Sequence, residues 1–164
     1  MIKDVKSRSI AWIARTAVVL AAGAMAFSAN AQDKKPIVIG FGQSLTGFLS
    51  PNGKQALLGA EIWRDQVNKS GGLLGRQGEL KEYDDQSKPD TVPGIYTKLI
   101  DVDHVDLVVG GYATNQNAPA MPVIIRKGKT YISLFALDVN GKFKYPKYFS
   151  ILPTGPSTKT SFTE

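Results

Sequence analysis

Ile37-Val38-Ile39-Gly40-Phe41-Gly42, closed by Gln43-Ser44-Leu45-Thr46-Gly47, is an almost wholly apolar run that ends in a polar turn. Such a run, with no polar alternation, suits a strand buried on both faces at the centre of a parallel sheet. Parallel neighbours need a crossover, usually a helix, and the next segment carries the marks of one. Ser50 stands at a cap position with Pro51 at the first helical position. Ala56, Ala60, Trp63 and Val67 then recur at helical spacing as one apolar stripe, which Gly71-Gly72 stops. Trp63 is expected to pack into the core from that stripe, and Phe41 to sit in the core of the sheet.

The alternation continues along the chain. Residues 79–83 read as a second strand, followed by the acidic turn Asp84-Asp85-Gln86. Asp90 is placed to cap a helix that carries Ile95, Leu99 and Ile100, with Pro93 in its first turn, where proline is tolerated. Residues 105–109 form a third strand closed by Gly110-Gly111, and residues 118–127 a short helix weakened by Pro119 and Pro122. Residues 130–136 give a fourth strand and residues 148–152 a fifth, after which Ser157 caps the first turn of another helix. The expected fold is α/β: a doubly wound, mostly parallel sheet with helices on both faces.

In such sheets ligands bind beyond the carboxyl ends of the strands, where the loops gather and the following helices present their amino termini. The loops concerned are residues 44–53, 110–117 and 135–140. They offer Phe48, Tyr112 and Phe135 as apolar walls beside the neutral groups of Ser44, Thr46, Asn52, Thr114, Asn115 and Gln116. That mixture suits a small organic solute, so a binder is expected rather than a catalyst.

Composition narrows the chemistry further. A chain of 164 residues with 43% hydrophobic and 21% charged positions is neither disordered, collagenous nor a disulfide-stapled miniprotein. It has no cysteine and one histidine, His104, which removes thiol catalysis, cysteine-held zinc and iron–sulfur clusters, and leaves little for a histidine metal site. No metal and no cofactor are expected. Gly40-Phe41-Gly42 begins like a dinucleotide fingerprint, but Leu45 stands where the third glycine belongs. Gly42-Gln43-Ser44-Leu45-Thr46 imitates a nucleophile elbow with Thr46 in place of its second glycine, and His104 precedes the third strand, at the far end of the sheet. Gly47 to Gly53 is one residue too long for a P-loop, and Gln55 takes the hydroxyl position that would hold magnesium. Asp84-Asp85 is expected to satisfy local backbone donors rather than to act as an acid–base pair. Lys142, Lys144 and Lys147 read as a solvated loop face.

The first 31 residues have the layout of an export signal. Lys3, Lys6, Arg8 and Arg15 make a basic beginning, residues 16–27 are apolar, and Ala29-Asn30-Ala31 is a small-x-small cleavage site that would leave Gln32 first. Spanning a bilayer takes roughly 20 apolar residues, so this shorter run is expected to be cleaved, with no direct membrane insertion afterwards. Without it the chain keeps 16 bases and 13 acids, a balance of +3. The lysines are scattered and form no aromatic-interleaved stripe, so no nucleic-acid partner is expected.

Five segments in order carry a resemblance: IVIGFGQSLTGFLSPNG, GAEIWRDQVNKSGGLLGR, ELKEYDDQSKPD, DLVVGGYATNQNAPAMPVI and YISLFALDVN. They resemble the amino-terminal lobe of periplasmic substrate-binding proteins of the branched-chain amino acid type that serve ABC transporters. The Ser-Leu-Thr-Gly turn, the helix exit at Asn68, Gly71, Gly72, Gly75 and Arg76, and the Asp84-Asp85-Gln86 turn are specific in combination. The resemblance implies a type I periplasmic-binding-protein lobe, a solute trapped between two lobes, membrane permease subunits as partners and a periplasmic location. It also implies ligand contacts at Asn52, Ala113, Thr114, Phe135 and Leu137, to which the loop reading adds Tyr112, with the Thr114 hydroxyl and backbone N–H groups at helix starts holding a carboxylate. Leu137 stands where the pattern usually has a threonine, and Phe135 where it has a small residue, which opens the solute class to amides, aromatic acids and other carboxylates. After cleavage 133 residues remain, one incomplete lobe of a two-lobed fold, so a truncated fragment that binds weakly by itself is the expectation. A ligand-sensing ectodomain of a receptor is the alternative use of the same lobe, and an enzyme of the doubly wound class is a third.

Overall fold

The computed structural model describes residues 35–152. The export segment and the helix expected from Ser157 lie outside the described residues. Strand β1 spans Ile37–Gln43, helix α1 Ser50–Lys69 and strand β2 Gly78–Asp84. A 3-10 turn at Pro89–Thr91 leads into α2, Val92–Asp101, and then β3, Leu107–Val109. The next crossover runs through α3 (Thr114–Asn117), a 3-10 turn at Ala118–Ala120 and α4 (Met121–Arg126) to β4, Tyr131–Ser133. Helix α5 (Asn140–Phe143) precedes β5, Tyr148–Ser150. The strands lie in the order β2-β1-β3-β4-β5, and every adjacent pair is parallel.

Handedness explains how the layers form. Right-handed crossovers place α1, which steps from β1 outward to β2, on one face, and α2, which returns past β1 to β3, on the other. Side chains follow the period of two: Val38 packs with the α2 cluster, while Ile37, Ile39 and Phe41 are buried on alternate positions. The main core joins Val92, Tyr96, Leu99 and Ile100 of α2 to Val108, Met121, Ile124 and Tyr131. Each fully buried aliphatic among these is worth about 1.5–3 kcal/mol. Gly40 belongs to this packing: a Cβ there would sit 2.9 Å from both methyls of Val105 and 3.1 Å from Leu99. The Gly-x-Gly of β1 is thus a helix–strand contact. Phe41 is in the core as expected, at 4% exposure.

Two tyrosines carry polar groups through this core. Tyr96 donates to the Val109 carbonyl at 2.8 Å, Tyr131 donates to Asn117 Oδ1 at 3.0 Å, and the two hydroxyls lie 3.3 Å apart. Burial pushes the Tyr96 phenol up to about 12 and raises Tyr131 well above its usual value. Both therefore remain protonated donors at neutral pH.

Several local expectations need correction. Trp63 is 41% exposed rather than buried: the half-buried face of α1 runs through Ala56, Ala60, Arg64, Val67 and Asn68, where Asn68 bonds both backbone groups of Gly78 at 2.7 and 3.0 Å, and Trp63 falls beside that face. Ser50 lies inside α1; Leu49 takes the cap position, and its N–H is satisfied by the Ser87 hydroxyl at 3.0 Å. Asp90 caps nothing: it sits exposed in the 3-10 turn, with Thr91 at the cap of α2 making no side-chain cap bond. Strands β3, β4 and β5 are each three residues long, shorter than expected, and the helical crossover after β3 begins at Thr114 instead of residue 118.

Candidate functional site

The strand order changes direction between β1 and β3, so their following loops part toward opposite faces and leave a crevice at the carboxyl edge. The crevice is built on a fastened base. Asp84, ending β2, accepts from the Leu45 and Thr46 N–H groups at 3.0 and 3.1 Å, from the Thr46 hydroxyl at 2.6 Å and from the Gln86 N–H at 2.8 Å. Buried Asp85 accepts from the Ser44 hydroxyl at 2.7 Å and the Ser87 N–H at 2.8 Å. The Ser87 hydroxyl donates to the Thr46 carbonyl at 2.7 Å. The pair of acids is a loop fastener, as its sequence reading anticipates.

Desolvation would raise the Asp84 pKa, but the Thr46 hydroxyl and the N–H groups of Gln86, Thr46 and Leu45 outweigh it and hold the carboxyl below 3.8. For Asp85 burial prevails over the bonds from Ser44 and Ser87, and the pKa is raised above 3.8.

Across the crevice, three bonds connect the loops after β1, β3 and β4. Gln43, 3% exposed, accepts the Tyr112 N–H on Oε1 at 2.9 Å. Ala113 donates its N–H to the Phe135 carbonyl at 3.2 Å, and Leu137 donates to the Thr114 hydroxyl at 3.0 Å. The β3 loop comes so close to β1 that a Cβ on Gly111 would collide with the Gly42 carbonyl. Ala113 pays for this approach with φ 76° and ψ 151°, a region that L residues rarely occupy and that is worth about 1–3 kcal/mol of strain. Its carbonyl still accepts the N–H groups of Gln116 and Asn117, starting α3.

A depression of about 400 Å³ opens above these bonds, lined by Pro51, Asn52, Gln55, Ala56, Tyr112 and Phe135. The rings of Tyr112 and Phe135 lie 5.6 Å apart, inclined at 39°. Of the residues anticipated as ligand contacts, the structure gathers Asn52, Tyr112 and Phe135 around this space. Ala113, Thr114 and Leu137 adjoin it through the bonds above without lining it, and the Thr114 hydroxyl, an acceptor from Leu137, keeps its own proton to donate. Phe48 is 93% exposed and is no wall of the depression. Gln43 and Gln55 were not anticipated. The only signal for Gln43 was a polar side chain ending an apolar strand, and Gln55 carried none beyond its place one turn into α1.

No acid, base or histidine lines the depression, and no cluster able to hold a metal ion occurs among the described residues. His104 lies in the loop before β3, at the opposite edge. Such a site can stack rings, exchange neutral hydrogen bonds and exclude water from one side of a small molecule.

A family model for periplasmic binding proteins matches residues 36–163. A Leu/Ile/Val-binding protein of Rhizobium johnstonii is 32% identical over 69% of this chain and 29% of its own length. The Leu/Ile/Val-binding protein of Escherichia coli K12 is 29% identical over 64% of this chain and 28% of its own. Among solved structures, a branched-chain amino acid transporter substrate-binding protein from Streptococcus pneumoniae, in complex with isoleucine, superposes with TM-score 0.67 at 26% identity, covering 73% of this chain and 34% of that one. The chain thus spans about a third or less of the length of these relatives.

Proposed function

The chain belongs to the periplasmic binding protein family, and from that membership we propose that it serves as the solute-capturing part of an ABC importer. In this reading residues 1–31 are an export signal removed at Ala31, and residues 32–164 form part of an amino-terminal lobe working in the periplasm. The carboxyl edge of the sheet is one wall of a cleft, a second lobe is the other, and the closed form is presented to permease subunits in the membrane. The solute is a branched-chain amino acid, an amide or a related organic acid. Asn52, Tyr112 and Phe135 touch it directly, while Ala113, Thr114 and Leu137 supply backbone and hydroxyl groups at the margin. Binding and release are the whole of its chemistry, with neither cofactor nor turnover.

The observation that carries this reading is the convergence of three strand-end loops on a single depression lined by Asn52, Tyr112 and Phe135. Among the described residues no helix is long and apolar enough to cross a membrane.

Titration calorimetry of the exported protein against leucine, isoleucine, valine, their amides and small organic acids tests the proposal. One solute class is expected to bind saturably but weakly to this single lobe, and at a hundredfold excess over its Kd to stabilise the fold by about 2.7 kcal/mol. Absence of binding across the whole panel, or binding unaltered in an Asn52→Ala, Thr114→Val double variant, would refute it.

A further inference from the structure

The depression at the carboxyl edge divides its chemistry unevenly. Its large apolar groups are two rings, Tyr112 and Phe135, whose backbones bridge in parallel just past the ends of β3 and β4. The rest of its lining is the Pro51 ring, the Ala56 methyl and the planar amides of Asn52 and Gln55. Each of these surfaces is flat or small.

A branched alkyl group gains affinity by filling a pit whose walls touch it on all sides, and no Leu, Ile, Val or Met lines this space. A planar ring has a different requirement. It lays one face against an aromatic wall, with centroids roughly 4.5–7 Å apart in offset or tilted pairs, and gains from the ring quadrupole as well as from area. The Tyr112–Phe135 pair already adopts that geometry at 5.6 Å and 39°, and Phe135 remains 38% exposed, with surface left to cover. The wall is also held in place before any solute arrives, by the Gln43 bond to the Tyr112 N–H and the Phe135 carbonyl's bond from Ala113. Less ordering is then lost on binding.

We infer that the solute of this site carries a planar aromatic ring, stacked on the Tyr112–Phe135 wall with its polar substituent at the Asn52 and Gln55 amides. The inference rests on the reading of this edge as the solute site and narrows the solute to an aromatic class. The ring face is covered by the two aromatic side chains, and the neutral lining places no charge requirement on this side of the molecule.

The test uses probes paired by head group: benzoate against isovalerate, and benzamide against isovaleramide, with L-leucine as the amino acid. Each is titrated into the nitrogen-15-labelled protein, and into Phe135→Leu, while backbone amide shifts are followed. Phe135→Leu keeps apolar surface and removes only the ring, and the spread of the amide signals reports that the variant is folded. Benzoate and benzamide are expected to move the amides of Asn52, Tyr112 and Phe135 at lower concentration than their alkyl counterparts. Phe135→Leu should weaken the aromatic probes about fivefold and change the alkyl probes by less than about twofold. Tighter binding of isovalerate, isovaleramide or leucine at those residues overturns the aromatic inference and leaves solute capture standing. So does equal aromatic binding by Phe135→Leu, or aromatic binding confined to other residues. If no probe moves these amides, the inference and the placement of the solute site fall together.

Discussion

The loops after β1 and β2 are sewn to each other by Asp84, Asp85 and Ser87, whose side chains hold Ser44, Leu45, Thr46 and Leu49 at hydrogen-bond distance. The loops after β3 and β4 meet their neighbours through three bonds, from Tyr112, Ala113 and Leu137. They also carry the strained Ala113 backbone and the half-exposed Phe135 and Leu137 side chains. The difference separates scaffold from working surface. Where polar side chains are spent on local bonds the edge is stiff and has little left to offer a solute. Where they are few, rings and backbone groups stay available, at the expense of strain. Such strain persists only where surrounding structure over-determines it, and here Gln43, Gly111 and Phe135 surround the strained residue.

Breaking the stiff side should cost most. Asp85→Ala removes a buried acceptor and strands the Ser44 hydroxyl and the Ser87 N–H, a loss of about 2–3 kcal/mol that urea unfolding would measure. Gln43→Leu acts at the seam between the two sides. It leaves the Tyr112 N–H without its acceptor and should cost about 1–2 kcal/mol, with amide shift changes concentrated in residues 110–114. Ala113→Gly should move stability the other way, because relief of the positive φ exceeds the added freedom of the unfolded chain. A gain of about 1 kcal/mol in the same unfolding experiment would confirm that the strain is stored there.

Acid sharpens the comparison with a smaller effect. The depressed Asp84 pKa gives stability that is fully present above its unfolded value, about 4, and is lost as pH falls through the folded value. Asp85, raised by burial, acts in the opposite sense: its contribution is present below the unfolded value and is lost as pH rises through the folded one. Asp84→Asn should therefore lose less stability than the parent between about pH 4 and pH 2, as followed by circular dichroism at graded pH. Smallest of all, Phe48→Ser should change stability by less than about 0.5 kcal/mol, because that ring is 93% exposed and lines nothing.

What the sequence made legible follows the same division. Patterns governed by period and by turn chemistry are plain: the apolar run of β1, the α/β alternation and the Asp84-Asp85 turn all appear where they were read. Features set by tertiary placement are not. Trp63 satisfies a helical stripe, yet the half-buried face of α1 follows Ala60, Arg64, Val67 and Asn68 and leaves Trp63 to one side, 41% exposed. Asp90 looks like a cap, but the chain spends one more turn before α2 begins. The site is legible to the level of loops, since strand polarity dictates which edge carries it. Within those loops Asn52, Tyr112 and Phe135 come together, whereas the role of Gln43 depends on a residue 69 positions away and has no local sequence signal.

The central claim is that a small solute is held at the carboxyl edge, between the start of α1 and the Tyr112–Phe135 wall. Hydrogen–deuterium exchange by mass spectrometry, with and without the solute that calorimetry identifies, tests it most directly. The account predicts protection confined to residues 50–56, 111–114 and 135–137, with no change in the turns at residues 71–77 and 101–106 that lie at the opposite edge. Protection centred on those amino-edge turns, or absent from all three carboxyl-edge segments while the solute is bound, would contradict it.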